Sequence, residues 1–375
     1  MSAHANPDII DDGLVFLYDT DDGKSYKGEP TTNVVANPLP TTGWSVSQAQ
    51  GSALTRTYLT EDGIPFMRFS SVTNGNDYPR VANSVFANSA TITGTFSTSL
   101  EVRGTAGAVL RLRIYENGST KITNSITLTS EWTRYTFDNQ STGFNLNQPY
   151  FNPATSDAIY DIRNIQIEAK SHSTPFVNGT RSSTQGLLDR TGNSTINLSD
   201  VSFDSNAQMT FDGTDDYIPL TGNILNVDAF TVEAVVNITS TGNYNKPIFV
   251  AGNLSNSGIW FFKHRSGLGN RLVMHGYDGV NPRIDVVSVN QVPDAQNTYV
   301  AVTFDGSAYQ LYMNGELEGS PVVDNKVGAT TTNYIGKQSS IYLDGDIPTM
   351  KIYNKALTPD EILQNFNATK SRFGL

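Results

Sequence analysis

Four groups of side chains in this chain have the types and spacings from which a chemistry could be built. Glu316 and Glu318 come nearest to a hydrolytic pair. A retaining glycosidase needs a nucleophilic carboxylate and an acid close together, and on a β scaffold a Glu-x-Asp-x-x-Glu strand would supply them. That spacing does not occur. Glu316 and Glu318 flank a hairpin turn without a central aspartate, and read as a solvated strand face. The histidines are His4, His172, His264 and His275. His264 and His275 fall in one predicted hairpin. Pairing Arg265 with Arg271 puts His264 opposite Leu272 and His275 opposite Phe261, so the imidazoles point to opposite faces and no third zinc ligand is evident. A nucleophile elbow, a Gly-rich phosphate loop and a His-Glu-x-x-His helix are missing from the sequence. The residues predict a protein that is not an enzyme.

Aspartates and tyrosines offer more. Asp19, Asp21, Asp22, Asp212, Asp215, Asp216, Asp344 and Asp346 sit in turns, where hard cations take carboxylates together with backbone carbonyls. None of these runs completes an EF-hand loop, and aspartate favours turns for its local hydrogen bonds alone. Tyrosines in loops, outside the alternating core pattern, can stack on sugar rings while neighbouring Asn, Asp and Arg side chains bond the hydroxyls. The candidate carbohydrate-binding residues are Tyr78 and Arg80 in Asn74-Gly75-Asn76-Asp77-Tyr78-Pro79-Arg80, Tyr244 in Gly242-Asn243-Tyr244-Asn245, and Tyr277 in Gly276-Tyr277-Asp278-Gly279. For each tyrosine the competing reading is packing or contact surface. Trp44 and Trp132 lie at strand ends and read as framework.

Strands must position these groups. Phe230, Val232, Ala234, Val236 and Ile238 alternate with Thr231, Glu233, Val235 and Asn237, which predicts a half-buried strand. Arg111 and Arg113 share one face of another, with Leu110, Leu112 and Ile114 on the opposite face. Asp305-Gly306 and Asn314-Gly315 have the chemistry of hairpin turns. One helix is predicted, at the C-terminus: Thr358 caps it, Pro359 takes its first position, Glu361 closes a capping box, and Ile362, Leu363 and Phe366 form its apolar stripe.

The segment Phe211-Asp212-Gly213-Thr214-Asp215-Asp216-Tyr217-Ile218 is followed by Val302-Thr303-Phe304-Asp305-Gly306, by Tyr309 to Leu317, and by Gly345-Asp346-Ile347 leading to Leu357. In that order the four motifs resemble the laminin-G-like, concanavalin A-like jelly-roll family. Gly13-Leu14-Val15 with Ser25-Tyr26-Lys27-Gly28 resembles the first strand of that jelly roll in phage proteins. Asn37-Pro38 with Gly43-Trp44 resembles the start of carbohydrate-binding-module-type jelly rolls, and Ala158 to Glu168 resembles their closing strand. The expected fold is therefore all-β, with two antiparallel β-sandwich jelly rolls and a short C-terminal helix. Residues 12–30 and 184–375 would form a discontinuous concanavalin A-like domain after an arm at 1–11. An inserted carbohydrate-binding-module-like domain would span 31–175, with a connector at 176–183.

The resemblance implies lectin-like sugar binding without a cofactor; related jelly rolls often hold a structural calcium, but turn chemistry is the favoured account of the turn aspartates. Gln364 to Leu375 resembles the terminus of phage laminin-G-like structural proteins. That implies a virion surface protein (capsid decoration, neck or tail fibre) whose partners are other virion proteins and host-surface glycans. A homo-oligomer, a trimer, is implied by the same resemblance, with apolar Phe176, Val177, Phe373 and Leu375 available to it. The alternatives are a polysaccharide-degrading enzyme or its accessory module, and a cement protein without a ligand.

Composition bounds these readings. A net charge of -11 over 375 residues disfavours nucleic acid and anionic membranes. The absence of cysteine excludes disulfides and thiolate metal sites. No apolar run approaches the roughly 20 residues of a membrane-spanning helix. Met1 to Ile10 lacks the basic start and apolar core of a secretory signal, so the expectation is synthesis in a host cytoplasm and function outside.

Overall fold

The computed structural model describes residues 8–35, 38–40, 54–71, 92, 94–116, 119–142, 148–221, 224–225, 228–239, 245–253, 257–264, 267–277, 284–323 and 332–375. The protein is almost entirely antiparallel β-structure with one C-terminal helix, in the concanavalin A-like jelly-roll class. It divides into two compact units. One takes Met1–Glu29, Ser182–Asp204 and Gln208–Leu375, and the other Pro30–Arg181 with Ser205–Ala207.

In the first unit two sheets face each other. The larger runs Ser202–Phe203, Met209–Asp212, Asp344–Tyr353, Phe230–Ile238, Thr298–Phe304, Ala308–Met313, Glu316–Val323, and Leu14–Asp19 also pairs with Asp344–Tyr353. The second runs Ile218–Thr221, Thr332–Ile335, Lys246–Asn253, Ser257–His264, Arg271–Tyr277, Ile284–Gln291. Alternate residues of both sheets, among them Phe16, Phe211, Val232, Phe249, Phe261, Val302 and Ile352, meet in one core. This is the period-2 pattern of a sandwich.

Phe230–Ile238 departs from the half-buried expectation, because all but one of its residues are buried. The reason is the helix Pro359–Phe373, which lies over the other face of the sheet with Val235, Tyr299, Tyr312, Tyr353 and Ile362 between them. Its start is as predicted, with Thr358 and Glu361 bonding each other's backbone amides and Pro359 at the first position. Its inward face differs. Ile362, Asn365 and Thr369 are the buried positions, while Leu363 is 43% exposed.

The second unit pairs Leu54–Glu61, Ile64–Ser71, Ala158–Glu168, Gly94–Gly104 and Thr133–Thr142 in one sheet, and Ser119–Thr127, Val109–Glu116 and Gln148–Pro153 in another. Leu110, Leu112 and Ile114 face its core with Phe69, Leu100, Phe151 and Tyr160. The two ends of the unit are clamped. Thr31–Thr32 pairs with Thr180–Arg181, and buried Glu168 accepts from Thr31 Oγ1 and Thr174 Oγ1, both at 2.6 Å. Residues 176–181, expected as part of a connector, are thus tied into this unit: Val177 N donates to Gln166 Oε1 and Arg181 holds the carbonyls of Pro175 and Phe176.

Candidate functional site

Two of the turn motifs converge at one end of the six-stranded sheet. Tyr217 leaves the acidic turn 212–216 and is fixed by its amide, which donates to the Asp200 carbonyl at 2.7 Å. The strand it enters pairs Pro219 with Tyr334. Gly336 follows with φ +81°, and a Cβ there would lie 2.7 Å from the Phe211 ring, so only glycine lets the chain pass so close. Lys337 then pairs with Tyr342 across a tight hairpin whose turn residue Ser339 has φ +54°. These constraints bring three tyrosines and a lysine together. The Tyr217 ring lies 5.8 Å from that of Tyr334, nearly edge-on, and 6.4 Å from that of Tyr342. The Lys337 Nζ sits 3.7 Å from the Tyr217 ring centre, 5.3 Å from Tyr342 and 5.6 Å from Tyr334. All four are half-buried. Fixed ring faces beside polar hydroxyls and an ammonium are what a polyhydroxyl ligand requires.

The acidic turn borders this group. Asp212, Asp215 and Asp216 bring carboxylate oxygens within 4.8 Å of one another, the one such cluster of three acids or histidines among the described residues. Its own hydrogen bonds explain much of that geometry. Asp216 accepts from Ser202 Oγ and from Asp212 N, and Asp212 Oδ1 accepts from Thr214 N and Asp215 N. Burial, then the charges of Asp212 and Asp215, push the Asp216 carboxyl above its ordinary range despite those bonds. Three of the other turn aspartates are engaged elsewhere. Asp19 holds Arg372, Asp22 lies 3.4 Å from Arg190, and Asp344 lies 3.9 Å from Lys246.

Of the sequence-predicted sugar residues, Tyr78, Arg80 and Tyr244 lie outside the described residues, as do Trp44 and His4. Tyr277 is not a loop residue. It ends the strand Arg271–Tyr277, pairs with Gly258 and packs half-buried against the cluster of Val250, Trp260, Phe262 and Val273. The histidine hairpin is also corrected. His264 pairs with Arg271 and His275 with Trp260, one position away from the expected register. A one-residue slip reverses every side chain, so both imidazoles share a face, on either side of Phe262 at 6.0 and 4.8 Å. Left-handed Gly267, Gly269 and Asn270 shape the longer turn. Asp285, which sequence reasoning missed, accepts from His275. Trp132 packs in the second unit's own framework, with Arg103 and Arg163 over its ring at 4.6 and 4.0 Å and Phe66 edge-on to it.

Glu318 is no solvated residue. It is 8% exposed and accepts from Val289 N, Asn290 N and Asn290 Nδ2 at 2.9–3.1 Å, joining the edge strands of the two sheets. Replacing it by Ala should lower unfolding stability by about 2–3 kcal/mol, because three hydrogen bonds to a buried charged acceptor are lost. Chemical denaturation would show this as a lower midpoint, and a change below about 0.5 kcal/mol would contradict the bracing role.

The sandwich and its rim of aromatic and charged groups place the first unit in the lectin-like class of β-sandwiches. Consistent with that, residues 212–363 match the profile of the concanavalin A-like lectin/glucanases superfamily. Solved structures of similar fold include domain 4 of AbnA, a GH43 extracellular arabinanase from Geobacillus stearothermophilus, in complex with arabinotriose. It is 19% identical, with a TM-score of 0.40, over 49% of this chain and 92% of that one. The CBM40 of the Ruminococcus gnavus IT-sialidase, bound to α2,3-sialyllactose, is 18% identical with a TM-score of 0.32, over 36% and 80%. The binding domain of botulinum neurotoxin serotype G is 15% identical with a TM-score of 0.38, over 48% of each chain. No curated protein matches the chain significantly.

Proposed function

We propose that this is a non-catalytic glycan-binding protein whose contact surface is Tyr217, Tyr334 and Tyr342 around Lys337. The observation that carries this reading is the rigid placing of three half-buried rings by paired strands, at distances that leave hydroxyls and an ammonium beside them. The wider role proposed, from the resemblance of the motifs to phage laminin-G-like proteins, is on a virion surface as a decoration, neck or fibre protein touching host glycans. There the chain would work as a trimer. Phe373 and Leu375 contribute little to such an interface, since both pack against the protein's own helix cluster. The mass of the protein in solution tests the trimer.

Binding to a glycan array or to host cells tests the main reading. Tyr217→Ala, Tyr334→Ala and Tyr342→Ala should each weaken binding by about 1 kcal/mol or more, roughly fivefold. Tyr277→Ala should leave it unchanged, because that ring packs on its own sheet. Unchanged binding in all three cluster variants removes this surface as the site. Release of reducing sugar from a bound polysaccharide would favour an enzyme, and loss of particle stability without any glycan binding would favour a cement protein.

A further inference from the structure

We infer that the ligand of this surface is an acidic sugar, a hexuronic or sialic-acid type, whose carboxylate is taken by Lys337. The inference rests on the glycan-binding reading and narrows it. Its basis is the setting of Lys337 among the lysines of this unit. Lys246, Lys263, Lys351 and Lys355 each have a carboxylate within 4 Å. Lys337, like Lys24, Lys27 and Lys370, has no such carboxylate among the described residues, but where Lys27 bonds the Gly23 carbonyl and Lys370 bonds Asn367 Oδ1, its ammonium lies against three tyrosine rings. The chain has an excess of acids, 36 Asp and Glu against 25 Lys and Arg, and three aspartates lie in the adjoining turn.

The arrangement has a definite chemical meaning. Ring faces hold the ammonium in place through their quadrupoles without neutralising it. The ammonium keeps N–H donors for an incoming anion, and phenol hydroxyls can add to them. The acidic turn fixes which way round the ligand sits. A carboxylate set against Asp212 and Asp215 would meet like charges, whereas hydroxyls there would find acceptors. The sugar's carboxylate accordingly goes to Lys337, its ring to a tyrosine face and its hydroxyls toward the turn.

The test uses the full chain and equilibrium titration with two matched pairs of probes, oligogalacturonate with its methyl ester and sialyllactose with lactose. At least one acidic member should bind about 10-fold or more tightly than its neutral partner, as expected for one charge-assisted contact. Lys337→Met keeps the apolar stem on the rings and should bring the pair within about twofold, while Lys337→Arg keeps most of the preference. Equal affinity for both members, or a preference that survives in Lys337→Met, overturns the inference and leaves glycan binding standing if the tyrosine variants still fail. No binding of any glycan overturns both readings. If Lys337→Met unfolds, the wild-type comparison of acid with ester still decides, because it needs no variant.

Discussion

A fragment beginning at Thr184 and ending at Leu375 is expected not to fold, although it contains nearly all of the first unit. What it lacks is the strand Leu14–Asp19, which lies antiparallel to Asp344–Tyr353 with Phe16 opposite Ile352 and Tyr18 opposite Met350. Phe16 and Tyr18 are fully buried. The Tyr18 hydroxyl donates to the Ile347 carbonyl at 2.9 Å, Thr349 Oγ1 donates to the Tyr18 carbonyl, and Leu17 N donates to Asp189 Oδ1. Losing one large aromatic from a core costs about 3–5 kcal/mol, so losing two approaches the about 5–15 kcal/mol by which whole domains are stable. The fragment also bares the Thr349–Tyr353 edge for pairing with other chains. Insoluble or aggregated protein is the expected outcome. Joining residues 8–29 to residue 182 through a short linker, in place of the second unit, should restore a soluble fold. A monomeric 184–375 fragment with a cooperative unfolding transition would show that the N-terminal strand is dispensable. Residues 30–181 alone should fold, since the Thr31–Thr32 and Thr180–Arg181 ribbon closes that unit on itself.

Much of this architecture is written in short-range patterns. Alternation set the strand faces of Leu110, Leu112 and Ile114, and the Thr358-Pro359-Glu361 spacing set the helix start. Such features depend on residues a few positions apart, where period and capping chemistry operate directly. What failed depends on distant partners. The burial of Val235 and Glu233 needs a helix that begins more than a hundred positions later. The facing of His264 and His275 turned on one residue in a glycine-rich turn, where several left-handed conformations are open. The tyrosine cluster was least visible. Tyr217 stood in the motif that best signalled the fold, yet its partners Tyr334, Lys337 and Tyr342 become neighbours only through the Pro219–Tyr334 pairing and the close pass of Gly336. Looking for tyrosines in loops favoured Tyr277 and passed over Tyr334 and Tyr342, which lie on paired strands.

Replacing Lys351 by Met should destabilise the first unit by about 3–5 kcal/mol, the cost of leaving a buried charge without its partner. Glu233 and Lys351 face each other on neighbouring strands, 0% and 5% exposed, with Nζ 3.4 Å from Oε2. The helix closes over them. Asn365 Nδ2 donates to Glu233 at 3.0 Å, Lys351 Nζ reaches Thr369 Oγ1, and Asn365 Oδ1 accepts from Ile10 N, so the N-terminal arm is joined to the same network. Burial first, and then the Glu233 charge, push the Tyr299 and Tyr353 hydroxyls above their ordinary range. Their contribution is therefore intact below about pH 10 and lost as the pH rises beyond it, because the unfolded phenols release their protons first. Lys351→Met leaves the Glu233 carboxylate beside Asn365 without its cation. Adding Glu233→Gln removes that charge, so the double variant should be more stable than Lys351→Met by itself, a non-additivity that denaturant titration of the three proteins would measure. A cost below about 1 kcal/mol for Lys351→Met, or a double variant weaker than either single one, would mean that water reaches the pair and that the helix seals it less tightly than its side-chain exposures imply.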